Sequence, residues 1–385
     1  MEMFKKIFYA IVITVVLFII VGVFLPRHVH VERSIDIERP TATVFTVLNS
    51  YRSFAAWSPW AQRDPAAVYE MSGPEAGPGA RLSWAGDPRL VGTGWQEIVA
   101  SQPNTLVRMQ LDFDQQGVAE SSFHIRPTEA GTHLTWGFDT DLLEGQGWFG
   151  GLVARYFGLF FDKWIGTDYE QGLARLKAHV ESMPAADFSD LEVEIVEVAP
   201  ADILYVTSDA GPGASDITAT LATAYQEITA YMAEQGIEMA AQPMAITRIG
   251  DQGRYEVEAA IPVHLPEAEP GIAAEAQADP GPAAAAGEEE AQSEAGQGPV
   301  ETSETVPAPA SRVRAGHSPA GRAVRVVHRG PYERMGPTYE KLAAWIAAHA
   351  MIEGQVSWEQ YISNPGETPE DELITHIYFR IGDEG

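Results

Sequence analysis

The sequence has no cysteine among its 385 residues and carries few positive charges. Without a thiol the chain can form neither a disulfide nor a zinc–thiolate site, and cysteine-based catalysis is excluded. Lys and Arg number 25 against 54 Asp and Glu, which gives a formal net charge of −29. Phosphate binding needs clustered Lys and Arg, and no basic helix or winged-helix pattern occurs, so we expect no nucleic-acid partner. Metal-ligand spacings, nucleophile elbows and phosphate loops are also missing, so we expect neither a metal nor a cofactor.

One long apolar run lies near the start of the chain. Lys5 and Lys6 precede it, and it extends from Ile7 to Leu25. About 19 residues at 1.5 Å each can cross a hydrocarbon core of about 30 Å. A cleaved secretory signal is the alternative, but its apolar region is usually about 7–15 residues long and ends in a small-x-small site, unlike Val23-Phe24-Leu25. We therefore predict a single-pass membrane anchor over residues 1–26, with the rest of the chain on the non-cytoplasmic side because the two lysines favour a cytoplasmic N-terminus.

Residues 28–183 have the pattern of one antiparallel sheet domain. An alternating strand from Val29 to Glu38 and a short helix come first, and six strand-like segments with Gly, Pro and Asn/Asp turns follow. A long helical pattern from Trp148 to Glu181 closes the domain. This order describes a helix-grip sheet, in which a curved sheet encloses the C-terminal helix.

Two stretches of this domain resemble the SRPBCC superfamily, whose members are START-like and polyketide cyclase-like. They are ERSIDIERPTATVFTVLNSYRSFAAWSPW at Glu32–Trp60 and FDKWIGTDYEQGLARLKAHVE at Phe161–Glu181. The resemblance implies a deep apolar cavity between the sheet and the long helix; members bind lipids, hormones or polyketides, and some catalyse reactions. Large aromatic side chains are candidates for the cavity wall: Trp57, Trp84, Trp95 and Trp136.

Residues 190–381 repeat the order strand, helix, strand, strand. The first copy extends from Leu191 to Val263 and the second from Gly321 to Ile381. Between them, residues 265–319 consist mostly of Ala, Glu, Gly, Pro, Gln and Ser, and such a segment cannot bury enough apolar surface to offset the entropy of ordering. We predict an α+β chain: an apolar helix, a helix-grip domain and a duplicated domain with a disordered insertion.

The strand around Trp358 carries the most informative side chains of the second copy. Period-2 alternation places Glu359 and Tyr361 on one face and Trp358 and Gln360 on the other. A carboxylate beside a tyrosine over a pocket suits an apolar cationic ligand or a proton transfer. The alternative is a solvated glutamate on an edge strand.

Three motifs of this copy resemble the second half of the GyrI-like effector-binding domain, which also serves several AraC-type and MerR-type regulators. They are HRGPYE at His328–Glu333, W-E-x-Y at Trp358–Tyr361 and E-L-x-T-x-I-Y at Glu372–Tyr378. The resemblance implies two pseudo-twofold modules with an aromatic pocket between them. The position of Glu359 would read the ligand. The candidate ligand-binding residues are Glu359, Tyr361, Tyr332, Trp358, His376 and Tyr378. Members often have an acidic residue where this chain has His376, which weakens the expected preference for strongly cationic ligands.

Three functions remain open from the sequence. The first is a membrane-anchored protein that senses, sequesters or carries an apolar or amphipathic small molecule. The second, which the GyrI-like resemblance implies, is a hydrolase of electrophilic small molecules, in which Glu359 would position or activate water and Tyr332 or Tyr361 would donate a hydrogen bond. The third is an interaction module whose acidic insertion tethers an unidentified protein partner.

Overall fold

The computed structural model describes residues 2–114, 117–144, 147–209, 214–249, 255–264 and 311–382. It has one N-terminal apolar helix and two antiparallel sheets, which confirms the predicted α+β class. Helix α1 (Glu2–Phe24) contains a segment, Met3–Phe24, that is long and apolar enough to cross a membrane. Its length and composition fit a membrane anchor and a signal sequence equally, so anchoring and orientation stay predictions.

The first sheet has seven strands and forms the helix-grip domain. The strands are β1 (His28–Ile37), β2 (Val68–Ser72), β3 (Arg81–Ala85), β4 (Thr93–Gln102), β5 (Leu106–Asp112), β6 (Val118–Thr128) and β7 (Gly131–Asp141), in the spatial order β1-β7-β6-β5-β4-β3-β2. Short helices α2 (Thr41–Leu48), α3 (Phe54–Trp57) and α4 (Pro59–Arg63) follow β1. Helix α6 (Phe161–Glu181) packs on the sheet through Tyr169, Leu173, Leu176 and Val180, which recur at the spacing of one helix face.

The helical pattern from Trp148 to Glu181 is two helices rather than one. Helix α5 (Trp148–Gly158) ends two residues before α6 begins. Gly158 lies close to Leu142, the residue directly after β7, so that a Cβ there would stand 2.6 Å from the Leu142 Cδ1 atom. The chain therefore turns at this point, so that α6 follows the sheet while α5 follows α1. The apolar spacing is helical on both sides of the turn, which is why the sequence predicted one continuous element.

The second sheet has eight strands and two helices. The elements are β8 (Val193–Val198), β9 (Asp202–Asp209), α7 (Ala214–Gln235), β10 (Met244–Ile249), β11 (Tyr255–Pro262), β12 (Arg314–His317), β13 (Gly321–Arg329), α8 (Gly336–Ala348), β14 (Glu353–Tyr361) and β15 (Ile374–Ile381). The spatial order is β12-β9-β11-β10-β14-β15-β13-β8. The predicted duplication of strand, helix, strand, strand is present.

Strand β12 corrects the predicted insertion, residues 265–319. Residues 265–310 of that range lie outside the described residues, but Arg314–His317 form a strand paired with β9. A short strand of Arg, Ala, Gly and His shows no apolar alternation. Its order comes from the backbone hydrogen bonds of the partner strand, which composition cannot reveal.

The two repeats exchange their first strands. Strand β8 of the first repeat pairs with β13 of the second, and β12 of the second pairs with β9 of the first. The two crossing segments meet where the Ala201 N–H donates to Ser318 Oγ at 2.9 Å and the Ser318 N–H donates to the Ala201 carbonyl at 2.8 Å. One sheet face is thereby closed over a core of Ile203, Met244, Ile246, Ala260, Ala323, Trp358 and Tyr378.

Helix α8 belongs to the cores of both domains. Leu342 and Ile346 pack against the second sheet, whereas Ala344 and Ala348 join the core of the first domain beside α2. Each pair is four residues apart and therefore lies on one helix face. Lys341 Nζ of α8 also contacts the carboxylate of Asp190, at the start of the second domain, at 2.6 Å.

Candidate functional sites

A cavity of about 520 Å³ lies in the first domain between the sheet and α6. Its volume is within the range of small-molecule pockets. The wall is mainly aromatic and aliphatic; it includes Phe54, Trp60, Tyr69, Trp84, Leu111, Phe113, Phe138, Phe161, Ile165 and Tyr169. A charged group stands at one side, where Arg63 contacts the Asp168 carboxylate. The cavity can therefore hold the apolar part of a small molecule.

Two polar side chains on the cavity wall have atoms without a hydrogen-bond partner. Gln96 is 6% exposed, and its Nε2 atom has no partner among the described residues. The Tyr69 hydroxyl is in the same state, and burial raises its pKa, which keeps the proton on it. A buried donor without a partner is costly. The two groups therefore offer hydrogen bonds to an oxygen of a bound molecule.

The four predicted tryptophans take different places. Trp84 lines the cavity. Trp57 and Trp136 are buried behind it, where Trp136 stacks on Tyr169 at 3.7 Å between ring centroids. Trp95 lies under the guanidinium of Arg81, 3.9 Å from the ring centroid, and does not line the cavity.

Trp60 lines the cavity although it was not among those four. Its Nε1–H donates to Asp168 at 3.2 Å, which orients the ring from α4 toward α6. Helix α4 has five residues, too few for apolar periodicity to indicate which face is buried.

A second candidate site surrounds Glu359 in the second domain. The Tyr339 hydroxyl of α8 donates to Glu359 Oε1 at 2.5 Å, and the Tyr361 hydroxyl of β14 donates to Oε2 at 2.8 Å. The ring of Tyr332 meets that of Tyr361 edge-on at 5.2 Å, and Tyr225 of α7 approaches it at 6.5 Å. Residues from both repeats thus enclose one carboxylate with phenol rings.

Burial, and then the negative charge of Glu359, raise the pKa of both Tyr339 and Tyr361 well above 10. The same two causes raise the pKa of Tyr332. The phenols therefore stay protonated at neutral pH and act as donors rather than bases. Among the described residues the hydrogen-bond donors to the carboxylate are neutral hydroxyls, so the site can attract a cation whose apolar part contacts the rings. Within the described residues no group of three or more His, Asp or Glu could hold a metal ion.

Three of the six predicted ligand-binding residues lie on the opposite face of this sheet. Trp358 and Tyr378 are buried there and stack at 4.9 Å with 3° between the ring planes. His376 pairs with Gln360 in the register of β14 and β15 and shares that face. Burial, and after it the positive charge of Arg325, lowers the pKa of His376. These three side chains therefore do not lie beside Glu359, because alternate residues of a strand point to opposite faces, and their role in ligand binding stays a prediction.

His376 therefore does not oppose a cation at Glu359. Tyr339 and Tyr225 were not predicted as site residues, because they belong to helices α8 and α7, and only the packing of those helices brings them to the Glu359 site. Their hydroxyls were the available signal, since a phenol on the buried face of a helix usually finds a hydrogen-bond partner. The Tyr225 hydroxyl finds one in the Met244 carbonyl, at 2.7 Å.

Several solved structures align with part of this chain, at low sequence identity and with low TM-scores. The C-terminal domain of EcmrR is 15% identical and aligns over 50% of this chain and 99% of its own, with a TM-score of 0.35. A hydrolase from Listeria innocua is 12% identical over 50% of this chain and 92% of its own, with a TM-score of 0.30. The di-domain ARO/CYC StfQ from the steffimycin biosynthetic pathway is 16% identical over 40% of this chain and 51% of its own, also with a TM-score of 0.30.

No curated protein matches the chain. Two family models do. Polyketide cyclase / dehydrase and lipid transport matches residues 28–181, and the GyrI-like small molecule binding domain matches residues 191–381. Both resemblances drawn from the motifs are thereby confirmed. Residues 28–181 therefore form a polyketide cyclase-like domain of the SRPBCC type and residues 191–381 a GyrI-like domain, behind an N-terminal apolar helix.

Proposed function

We propose that this protein is a membrane-anchored binder of apolar or amphipathic small molecules. The observation that carries the proposal is the cavity of about 520 Å³ in the first domain. Its aromatic wall favours a hydrocarbon body, and the free donors of Gln96 and Tyr69 favour an oxygen acceptor on that body. Membership of a small-molecule binding family supports the same function for the second domain.

The Glu359 site is proposed to take a ligand of different chemistry. Its carboxylate is fixed by Tyr339 and Tyr361, so it is organised before any ligand arrives. An apolar cation would be stabilised both by the negative charge of the carboxylate and by contact with the tyrosine rings. The protein would then sense or sequester two kinds of compound, or one amphiphile through two sites.

Packing of α1 on α5 supports an anchor that remains on the mature protein. The rings of Phe18 and Tyr156 stack at 4.3 Å with 7° between their planes, and the Tyr156 hydroxyl donates to the Phe18 carbonyl at 2.6 Å. Removal of α1 as a signal sequence would leave this surface of α5 without its partner. Such a specific contact favours a retained helix.

The cavity is tested by one substitution made at two places. Ala154 of α5 lines the cavity, whereas Ala174 of α6 is exposed and does not. A pyrene-labelled fatty acid is titrated into the full chain in detergent, and energy transfer from tryptophan reports binding. We expect Ala154→Trp to weaken binding about tenfold or more by filling the cavity, and Ala174→Trp to leave it unchanged. Equal binding by both variants would contradict the proposal.

A further inference from the structure

An exposed apolar surface adjoins the cavity at the end of α5. Its side chains are each at least half exposed: Trp148, Phe149, Phe157, Leu159, Phe160 and Trp164. The rings of Phe160 and Trp164 stack at 5.6 Å, and Phe157 lies 6.5 Å from Trp164, so these three aromatic groups are contiguous, whereas Trp148 and Phe149 lie at the other end of α5. Isolated exposed apolar residues are ordinary, but a contiguous group of this kind marks a contact surface.

Helix α1 identifies what covers that surface. Arg155 of α5 donates to the carbonyls of Gly22 at 3.2 Å and Val23 at 2.5 Å, at the C-terminal end of α1 where a cation is favoured. The two helices approach closely at Gly22, where a Cβ would stand 2.6 Å from Leu152 Cδ1. The apolar surface is therefore continuous with a helix that has the length and composition of a membrane span.

The direction of α5 sets how deep its end lies. Leu152 stands beside Gly22, and Tyr156, one turn later, stands beside Phe18, so α5 extends antiparallel to α1. Phe18 is six residues, about 9 Å, before the end of α1 at Phe24. A bilayer that contains α1 must then also contain the C-terminal end of α5. Trp148, at the other end, falls at the headgroup level that tryptophan prefers.

The mouth of the cavity lies in the same place. Phe157 and Trp164 line the cavity and are also 53% and 50% exposed. Ala154 and Phe161, from the same two helices, line it beside them. The route between cavity and surroundings therefore passes through the aromatic group that α1 brings to the bilayer.

We propose that α5 and its turn into α6 dock on the lipid bilayer and open the cavity of the first domain directly to the hydrocarbon. The ligand is then a membrane amphiphile, with an apolar chain and an oxygen acceptor, that enters from the bilayer without crossing water. The inference rests on the proposed function of the cavity. Its geometric part, the depth of α5, is measurable without any ligand.

The depth is tested by spin labels in the full chain reconstituted into phosphatidylcholine vesicles. Because the sequence has no cysteine, Phe160→Cys and Phe149→Cys each create a unique labelling site. Met71→Cys is the control, an exposed residue on β2 at the sheet edge opposite β1. We expect oxygen rather than an aqueous nickel complex to reach the label at 160, a shallower position at 149, and full aqueous access at 71.

Aqueous access at 160 equal to that at 71 would overturn the docking. So would a label at 160 that is shielded from both reagents and dipolar-coupled to a second label, because that result assigns the surface to a second copy of the chain. These outcomes leave the proposed function of the cavity standing.

Ligand entry is tested by the rate at which vesicles containing a pyrene-labelled fatty acid fill the cavity. Leu159 is exposed and does not line the cavity, so Leu159→Asp removes part of the docking surface alone. We expect Leu159→Asp to slow uptake from vesicles by about tenfold while the affinity in detergent stays unchanged, and Met71→Asp to change neither. Unchanged uptake by Leu159→Asp would overturn the entry route. No binding by the parent chain in either medium would instead remove the proposed function of the cavity.

Discussion

Tyr339 and Tyr361 hold the Glu359 carboxylate from a helix and from the strand that carries it. A carboxylate with two such donors keeps its orientation whether or not a ligand is present. In the part of the chain that the structure describes, however, both hydrogen-bond partners of this carboxylate are neutral. Glu359 thus has a fixed orientation and a negative charge that its neutral hydrogen-bond partners do not balance. A site for a cationic ligand requires both properties.

We expect Glu359→Gln to weaken binding of tetraphenylphosphonium by about tenfold or more, because the charge is lost while the shape stays. Isothermal titration calorimetry of the full chain in detergent measures the effect. Glu340→Gln is the matched control, since Glu340 is an exposed residue of α8 next to Tyr339. Equal affinities for the two variants would remove Glu359 from the site. Turnover of an electrophilic ester, lost only in Glu359→Gln, would favour the hydrolase instead.

The tryptophans of the first domain differ in what they stabilise. Trp136 is 3% exposed, stacks on Tyr169 and donates to Ser121 Oγ at 2.8 Å. We expect Trp136→Ala to lower the free energy of unfolding by about 3–5 kcal/mol. Trp95→Ala loses chiefly the contact with Arg81, which is worth about 0.5–1 kcal/mol. Urea denaturation followed by circular dichroism checks both values, and similar losses would contradict this assignment.

At the scale of elements, α8 links the two domains through its two faces. His349, directly after α8, stacks on Trp345 at 3.8 Å and contacts its carbonyl at 2.8 Å. Burial lowers the pKa of His349; the charge of Arg52 lowers it further, while Glu75 and the Trp345 carbonyl oppose the shift. The imidazole is therefore held neutral at the junction.

The unfolded chain binds a proton at His349 below about pH 6.5, whereas the folded chain resists it. The stability that this residue contributes is therefore complete above that pH and is lost as the pH falls toward the folded pKa. We expect the melting temperature to fall less on acidification from about pH 7.5 to 5.5 in His349→Gln than in the parent chain. His179 and His376 also have lowered pKa values, but both are present in the parent chain and in His349→Gln, so they do not contribute to the difference between the two. Parallel melting curves across this range would contradict the expectation.

The sequence predicted elements where side-chain periodicity reports burial. The second repeat was predicted to extend from Gly321 to Ile381, where β13 begins and β15 ends, and both repeats have the predicted order of strand, helix, strand, strand. It could not predict β12, which owes its order to β9, or the turn between α5 and α6, which is set by α1 and the sheet. Alternation correctly placed the side chains of Glu359 and Trp358 on opposite faces of β14. It could not show that helix phenols complete the Glu359 site, because that depends on how α7 and α8 pack.

At the scale of the whole molecule, the small residues of α8 determine whether the two domains unfold together. Ala344 is fully buried and packs in the core of the first domain beside α2. We expect Ala344→Arg to separate the domains and to give two calorimetric transitions where the parent chain gives one, since a buried unpaired charge is not tolerated there. Ala343, on another face of the helix, provides the control Ala343→Arg. A single transition in both variants would mean that α8 does not couple the domains.

Because the repeats exchange strands, the sheet of the second domain can be completed only after both repeats have been synthesised. Strand β8 must wait for β13, because Val193 pairs with Val326, and at roughly 5–20 residues per second the ribosome adds the residues between them over on the order of ten seconds. The first domain, apart from its contact with α8, has left the exit tunnel by then. A chain released between the repeats would present β8 without a partner and β9 with an open edge, the kind of edge that recruits other strands. Premature termination there yields a product prone to aggregation and degradation rather than a stable half-sized domain.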